Sequence, residues 1–149
     1  MTIQRLLAGT QPLLEQVAAF TERRHDVLAG NLANISTPGY EARDLPVEKF
    51  QAALKVAIEA GSTSDESTGR PFWTSADITP TSAFRELASA DLHQADRRDA
   101  ISPTYQDGAS RSIEQELMEL TKNSMTQQFA VELLAAQFNK LQMVISERA

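Results

Sequence analysis

Residues 113–147 read IEQELMELTKNSMTQQFAVELLAAQFNKLQMVISE and contain the strongest periodic pattern in the chain. One set of positions recurs at alternating steps of four and three, which is typical of the contact seam of a coiled coil. The set comprises Ile113, Leu117, Leu120, Ser124, Gln127, Val131, Leu134, Phe138, Leu141 and Ile145. The pattern predicts one helix about 50 Å long at 1.5 Å per residue. A helix of this length exceeds what one small globule needs.

Glu114, Glu116 and Glu119 crowd the beginning of this helix. Ser112 and Gln115 have the spacing of a capping box, and carboxylates are favoured near the positive end of a helix dipole. We therefore interpret the glutamates as solvated groups that complement the helix dipole, rather than as a pair for acid–base chemistry.

A second helix is predicted from about Leu13 to Ile35, with a more polar seam. Its seam positions are Leu14, Val17, Thr21, Arg24, Leu28, Asn31 and Ile35, with Leu13, Phe20 and Val27 beside them. The helix must end near Ser36, because Pro38 disfavours helical dihedrals in the residue before it. Pro38 and Gly39 fit the two central positions of a type II turn.

A shorter third helix follows, with Pro46 in its first turn and Gly61 as its end. Its predicted apolar face comprises Val47, Phe50, Leu54 and Ile58. Residues 61–106 show no apolar period, and we interpret them as a flexible or variable middle region. The predicted fold is mainly α: long N- and C-terminal helices pair as an antiparallel coiled coil. Residues 1–60 and 107–149 form this terminal helical domain around a weakly ordered middle.

Composition argues against several classes of function. The formal net charge is −6 and no cysteine is present, which disfavours nucleic-acid partners and excludes thiolate chemistry. The basic pairs Arg23–Arg24 and Arg97–Arg98 are flanked by acidic residues, so we interpret them as solvated surface. No apolar run approaches the roughly 18 residues of a membrane span, and we expect no membrane insertion.

The chain also lacks the usual marks of an enzyme or a metal protein. None of the common nucleotide-binding, hydrolase or zinc-protease motifs occurs in the sequence. His25 and His93 are the only imidazoles, and two distant histidines make a weak case for a metal site. We therefore expect no catalytic residues, no cofactor and no bound metal.

Residues 24–40, RHDVLAGNLANISTPGY, resemble the N-terminal signature of flagellar rod, hook and hook-associated proteins. The continuation Glu41–Leu45 is similar to the FlgB type of proximal rod protein. Residues 113–123, IEQELMELTKN, are similar to the C-terminal helix of the same family. The two matches cover roughly residues 20–60 and 107–147. A neighbouring rod component of the FlgC type is the nearest alternative, and a soluble coiled-coil adaptor or secretion chaperone is another.

The resemblance implies a structural role and a set of assembly residues. In this family the terminal helices pair along an axial tube, Asn31 and Asn34 form hydrogen bonds near the helix end, and the turn directs the chain toward neighbours. The expected assembly residues are Leu28, Asn31, Leu32, Asn34, Thr37, Pro38, Gly39, Tyr40, Leu117, Leu120, Ser124, Gln127, Val131, Leu134 and Phe138. Phe50 and Leu54 are similar to the short motif that docks subunits on the export gate, although packing in the core explains their spacing equally well.

The resemblance also implies partners and a location. Expected partners are other rod proteins, copies of the same chain, a FliE-type adaptor, and the inner-membrane ring with its export gate. The expected location is the periplasmic rod of the flagellar basal body. Export would use the flagellar type III apparatus without a cleaved signal, in agreement with the short apolar run at the N-terminus.

Overall fold

A computed structural model describes residues 3–63, 89–97 and 113–147 of the chain. Three helices dominate it: α1 (Ile3–Ala33), α2 (Val47–Thr63) and α3 (Ile113–Glu147). Two short strands, β1 (Arg43–Asp44) and β2 (Asp96–Arg97), pair antiparallel, and a 3-10 helix spans Ala90–His93. The predicted fold is confirmed: it is mainly α, with the two long helices packed on each other.

The long helices run antiparallel, as their contacts at either end show. Asn31 near the end of α1 contacts Glu116 near the beginning of α3, whereas Thr10 contacts Gln137. The predicted beginning of α1 near Leu13 is wrong, because the helix begins at Ile3 and continues through Pro12. Pro12 removes one backbone donor, and the contact between Thr10 and Gln137 shows that tertiary packing on α3 extends beyond it.

The turn after α1 has the conformation that its sequence predicted. The Tyr40 backbone N–H donates to the Thr37 carbonyl at 3.2 Å, and Gly39 has φ of +73°. Both features define a type II turn with glycine at its third position. At the end of α1 the Gly30 carbonyl accepts from the backbone N–H of Asn34 at 3.2 Å and from the Asn34 side chain at 2.9 Å.

The apolar core lies between α1, α2 and the 3-10 helix. The Phe20 and Phe50 rings stack with centroids 3.9 Å apart. The buried cluster consists of Phe20, Leu45, Phe50, Ala53, Ala57 and Leu92. Leu92 belongs to the predicted middle region, so this part of the region packs on the core. Residues 64–88 and 98–106 lie outside the described residues.

The predicted bounds and apolar face of α2 need two corrections. The helix begins after Pro46 and continues past Gly61 to Thr63. Ile58 is exposed, whereas Ala53 and Ala57 are buried. The buried face of α2 therefore follows Phe50, Ala53 and Ala57 rather than the larger Ile58.

The two short strands, β1 and β2, were not predicted from the sequence. They pair Arg43 with Arg97 and Asp44 with Asp96, which joins the segment after the turn to the chain after Leu92. Arg97 also forms an ion pair with Glu41. The strand pair therefore holds the 3-10 helix against the core.

Candidate functional site

The surface of α1 that faces α3 is the seam that its sequence predicted. Thr21, Arg24, Leu28 and Asn31 are all buried. Leu28 is completely inaccessible to solvent. The seam includes one charged residue and two polar residues, so its partners on α3 must supply hydrogen bonds.

The buried residues of α3 do not coincide with its predicted heptad. The most buried residues of α3 are Glu116, Asn123 and Ala130, spaced seven apart. Leu120, Ser124, Gln127 and Leu134 of the predicted seam are half-buried beside them. The helix is therefore rotated relative to the prediction, so that its polar side faces α1.

Five predicted seam residues lie outside the contact between the helices. Leu117, Val131, Phe138 and Ile113 are about half exposed, and Ile145 is 71% exposed. The prediction that these side chains pack between the two helices is wrong. The prediction fails because Glu116 and Asn123 form hydrogen bonds with α1, and these bonds fix the rotation of α3. The side chain of Leu141 lies outside the described residues.

Asn31 is the centre of the polar contact between the helices. Its side-chain N–H groups donate to the Arg43 carbonyl at 2.7 Å and to a Glu116 carboxylate oxygen at 3.3 Å. Its amide oxygen accepts from the Arg43 N–H at 3.0 Å and from the Tyr40 hydroxyl at 3.1 Å. Every hydrogen-bonding site of this buried amide is therefore occupied. Asn31 joins α1, the segment after the turn and α3.

Arg24 forms an ion triad with residues of two other elements. Its guanidinium makes two bonds of 2.8 Å to the Asp44 carboxylate and one of 3.0 Å to Glu119. Hydrogen bonding to Asp44 raises the pKa of Arg24, against burial that lowers it. The prediction that Arg24 is solvated is wrong. An arginine at a seam position of an amphipathic helix was the signal, because a buried charge requires a partner.

Burial raises the pKa of the Glu119 carboxyl, but the hydrogen bonds and charges of Arg24 and Lys122 outweigh it. The pKa of Glu119 is therefore below its ordinary value. Lys122 contributes from solvent, at 3.3 Å from Glu119. The interpretation of Glu116 and Glu119 as solvated groups is thus wrong: Glu116 is buried, and both carboxylates contact α1.

Two further polar contacts continue along the pair of helices. The buried Asn123 side chain donates to the Thr21 carbonyl at 2.7 Å. Nearer the other end, the Gln137 side chain donates to the Thr10 hydroxyl at 2.6 Å. The family resemblance includes Asn123, but the sequence did not predict that Asn123 contacts α1.

The predicted residues at the turn lie around the Asn31 contacts. Thr37, Pro38 and Gly39 are exposed, whereas Leu32, Asn34 and Tyr40 are half-buried. The possible export-gate residues are part of the core: Phe50 is buried against Phe20, and Leu54 packs beside the same cluster.

Helix α3 carries large apolar side chains on two exposed surfaces. The first, which we name the flank, lies beside the contact with α1 and consists of Ile113, Leu117, Val131, Phe138 and Ile145. The second, which we name the far face, lies mostly on the side of α3 opposite its buried positions. A rotation of about 100° per helical residue places it there. It consists of Met118, Met125, Phe129, Leu133 and Met143. Of these ten side chains only Leu133 is less than 45% exposed.

An open groove of about 1080 Å³ runs between α2 and α3. Val17, Phe20, Leu54 and Met125 give it an apolar lining beside the charges of the Arg24 triad. Among the residues that the structure describes, no cluster of side chains could hold a metal ion. No helix in that part of the chain is long and apolar enough to cross a membrane.

Comparison with known proteins gives one consistent result. The chain is 25% identical to the flagellar basal body rod protein FlgB of Bacillus subtilis over 142 residues, which cover 95% of the chain and 96% of the relative. It is 28% identical to FlgB of Salmonella typhimurium over 124 residues, or 83% of each protein. It is 26% identical to FlgB of Aquifex aeolicus over 140 residues, or 92% of the chain and 93% of the relative. No family model matches the chain.

These relatives define the class: the chain is similar along most of its length to rod proteins of the bacterial flagellar basal body. The resemblance carried by residues 24–40 is therefore confirmed. Within this class all three relatives are FlgB proteins, which supports the FlgB-type resemblance that the continuation Glu41–Leu45 indicated.

Proposed function

We propose that this protein is a structural, non-enzymatic subunit of the proximal rod of the flagellar basal body, and that it assembles through its terminal helices for flagellum-dependent motility. The observation that carries the proposal is the outward position of the large apolar residues of α3. In the isolated chain these side chains contact water on two surfaces of one long helix.

The size of these surfaces favours burial against other subunits. Contiguous exposed apolar patches larger than a few hundred Å² are uncommon on soluble monomers. Burial of apolar surface contributes roughly 25 cal/mol per Å². Phe129 and Met125 alone, at 63% and 69% exposure, leave most of their side chains in water. A rod, in which each helix has neighbours on several sides, covers both the flank and the far face.

The polar contact with α1 leaves these surfaces free for neighbours. Glu116 and Asn123 occupy the side of α3 that faces α1, so the apolar residues do not compete for that position. The turn at Thr37–Tyr40 would then set the direction of the following segment toward adjacent subunits. The assembly residues that the resemblance implies, from Leu28 to Tyr40 on the α1 side and from Leu117 to Phe138 on α3, would make the contacts with these subunits.

The family resemblance supplies the proposed partners and location. The partners would be other rod proteins, further copies of this chain, a FliE-type adaptor, and the inner-membrane ring with its export gate. The location would be the periplasmic rod, reached by flagellar type III export. The names of the relatives, which describe basal-body rod proteins, support this assignment.

Docking of Phe50 and Leu54 on the export gate would require that these side chains be exposed. Phe50 is stacked on Phe20 in the folded chain, so a receptor can bind it only when α2 is separated from α1. The motif would therefore act on a chain that has not folded, and core packing would take over afterwards.

The test compares two changes that each add one negative charge to α3. Phe129→Glu places the charge on the far face, whereas Asn139→Glu places it at an exposed polar position of the same helix. We expect Phe129→Glu to lower the amount of the chain in purified basal bodies and to reduce swimming, and Asn139→Glu to change neither. Normal incorporation of Phe129→Glu would contradict the proposal.

Two alternatives predict different results. A neighbouring rod component of the FlgC type would crosslink from Tyr40 to a different axial neighbour in the basal body. A soluble adaptor or secretion chaperone would remain in the soluble fraction of the cell and would be absent from basal bodies.

A further inference from the structure

The contact between α1 and α3 is unusual in the chemistry of what it buries. None of the six residues of the buried apolar cluster comes from α3. The most buried positions of α3 are a carboxylate, an amide and an alanine, at Glu116, Asn123 and Ala130. Each of the first two forms a hydrogen bond to α1 at a defined place. This contact therefore combines the apolar burial of Leu28 and Ala130 with matched donors and acceptors.

The apolar part of the contact made by α3 consists of few side chains. Leu120 and Leu134 are half-buried at positions fourteen residues apart, with Gln127 midway between them. A slip of seven residues, about 10 Å along the axis, would bring Gln127 to the place of one of these leucines and Gln137 or Asn123 to the place of the buried Ala130. Apolar packing therefore opposes the slip at these few positions.

The polar contacts also distinguish the registers. A slip that brings Thr126 to the place of Glu119 removes a carboxylate from Arg24, and it places Ala130 against the Thr21 carbonyl. The opposite slip brings Glu116 against the Thr21 carbonyl, where two acceptors meet without a proton between them. Only the observed register satisfies Asn31, Arg24 and the Thr21 carbonyl together.

We propose that the Asn31–Glu116, Arg24–Glu119 and Thr21–Asn123 contacts are a register code, which selects one stagger of α3 along α1. Asn31 and Arg24 are positioning residues in this code. Asn31 also binds Arg43, and Arg24 also binds Asp44, so the same contacts fix the position of α3 relative to the segment after the turn. The stagger fixes where the flank and the far face lie, and this consequence rests on the proposed function.

The test measures the stagger directly in the separated chain, so its result does not depend on assembly into a rod. The natural chain has no cysteine, and Ala29→Cys with Ala135→Cys introduces two exposed sites for spin labels on α1 and α3. Double electron–electron resonance then reports the distance between the labels, with an excess of unlabelled protein to suppress distances between chains. A slip by seven residues changes this distance by about 10 Å.

Two variants in the labelled background test the code. Arg24→Met with Asp44→Asn and Glu119→Met removes the charges of the triad. We expect the helices to remain folded and a second distance to appear, about 10 Å from the native one. The exchange Glu119→Thr with Thr126→Glu keeps the composition and moves the carboxylate by seven residues. We expect this exchange to shift the population toward the slipped register.

The matched control exchanges two exposed residues of α3 that are also seven apart, Thr121→Gln with Gln128→Thr. We expect it to keep the single native distance. A single native distance in both code variants would overturn the proposal. Loss of helicity in the triad variant would also overturn it, because the triad would then supply stability rather than register.

Discussion

Helix α1 has two packed sides, and they differ in chemistry. Toward α2 it buries stacked rings, Phe20 on Phe50, beside the alanines of the apolar cluster. Toward α3 it buries Leu28 together with an amide, a guanidinium and a backbone carbonyl that make polar contacts. Apolar burial tolerates small shifts, whereas hydrogen bonds and ion pairs require defined partners. The side toward α2 therefore stabilises the fold by apolar burial, whereas the side toward α3 also fixes the geometry of the helix pair through its polar contacts.

The largest expected effect is on the apolar side. Phe50→Ala should lower the free energy of unfolding by about 4 kcal/mol, because it removes a buried ring and leaves a cavity. Urea unfolding followed by circular dichroism measures the loss. Val56→Ala, at an exposed position of the same helix, is the control and should change stability little. Equal losses in the two variants would remove the apolar side as the source of stability.

The second effect tests the polar side by breaking it at one point. Asn31→Ala should cost about 3 kcal/mol, because Arg43, Tyr40 and Glu116 lose a buried partner. The same unfolding measurement applies, with Asn139→Ala as an exposed control. A loss below about 0.5 kcal/mol would show that water replaces the Asn31 amide without penalty.

A third effect concerns the turn that leads from one side to the other. Gly39→Val should cost about 2 kcal/mol and impair incorporation into the rod, because a β-branched residue resists the φ of +73°. Thermal unfolding and basal-body content measure the two parts. Apart from Gly39 itself and its chain neighbours, no atom lies within 4 Å of a Cβ placed at Gly39. The cost would therefore be conformational, and normal motility would remove the turn from the mechanism.

A smaller effect of pH distinguishes the charged contact from the apolar one. The folded pKa of Glu119 lies below its unfolded value, so its contribution is present above the unfolded pKa and is lost as pH falls through the folded pKa. Unfolding measured from pH 6 downward should show a weaker pH dependence in Glu119→Gln. At neutral pH this variant should be roughly 1 kcal/mol less stable. Identical pH profiles would mean that the ion triad contributes nothing to stability.

The smallest expected effect is at a residue that the heptad placed between the helices. Phe138→Ser should change the free energy of unfolding by less than about 0.5 kcal/mol, because the ring is 53% exposed. A loss near that of Phe50→Ala would place Phe138 inside the contact and would reverse the assigned rotation of α3. Leu134→Ser, at a half-buried position of the same helix, should cost more.

Sequence reasoning succeeded where local chemistry decides the structure. Pro38 and Gly39 specify their turn through their own dihedral preferences, and the seam of α1 follows from one row of positions. The period of α3 was also predictable, but its rotation was not. Apolar residues occur on several sides of α3, so the heptad could not show which side faces α1. That choice depends on Asn31 and Arg24, more than 80 residues away in sequence.

Other features had no local signal at all. Strands β1 and β2 have two residues each, and their pairing joins Arg43 to Arg97 across more than 50 residues. Leu92 belongs to the core only because this pairing brings it there. For the site, the family resemblance identified Asn31 and Tyr40. It did not show that Glu116, Glu119 and Asn123 complete the contact.

The far face has a consequence for the chemical durability of a subunit before assembly. Every methionine after Met1 lies on this surface: Met118, Met125 and Met143. Thioethers in contact with solvent are open to oxidants, and a sulfoxide converts an apolar side chain into a polar one. Peroxide would therefore damage unincorporated chains at the surface they need, while subunits already enclosed by neighbours would be shielded.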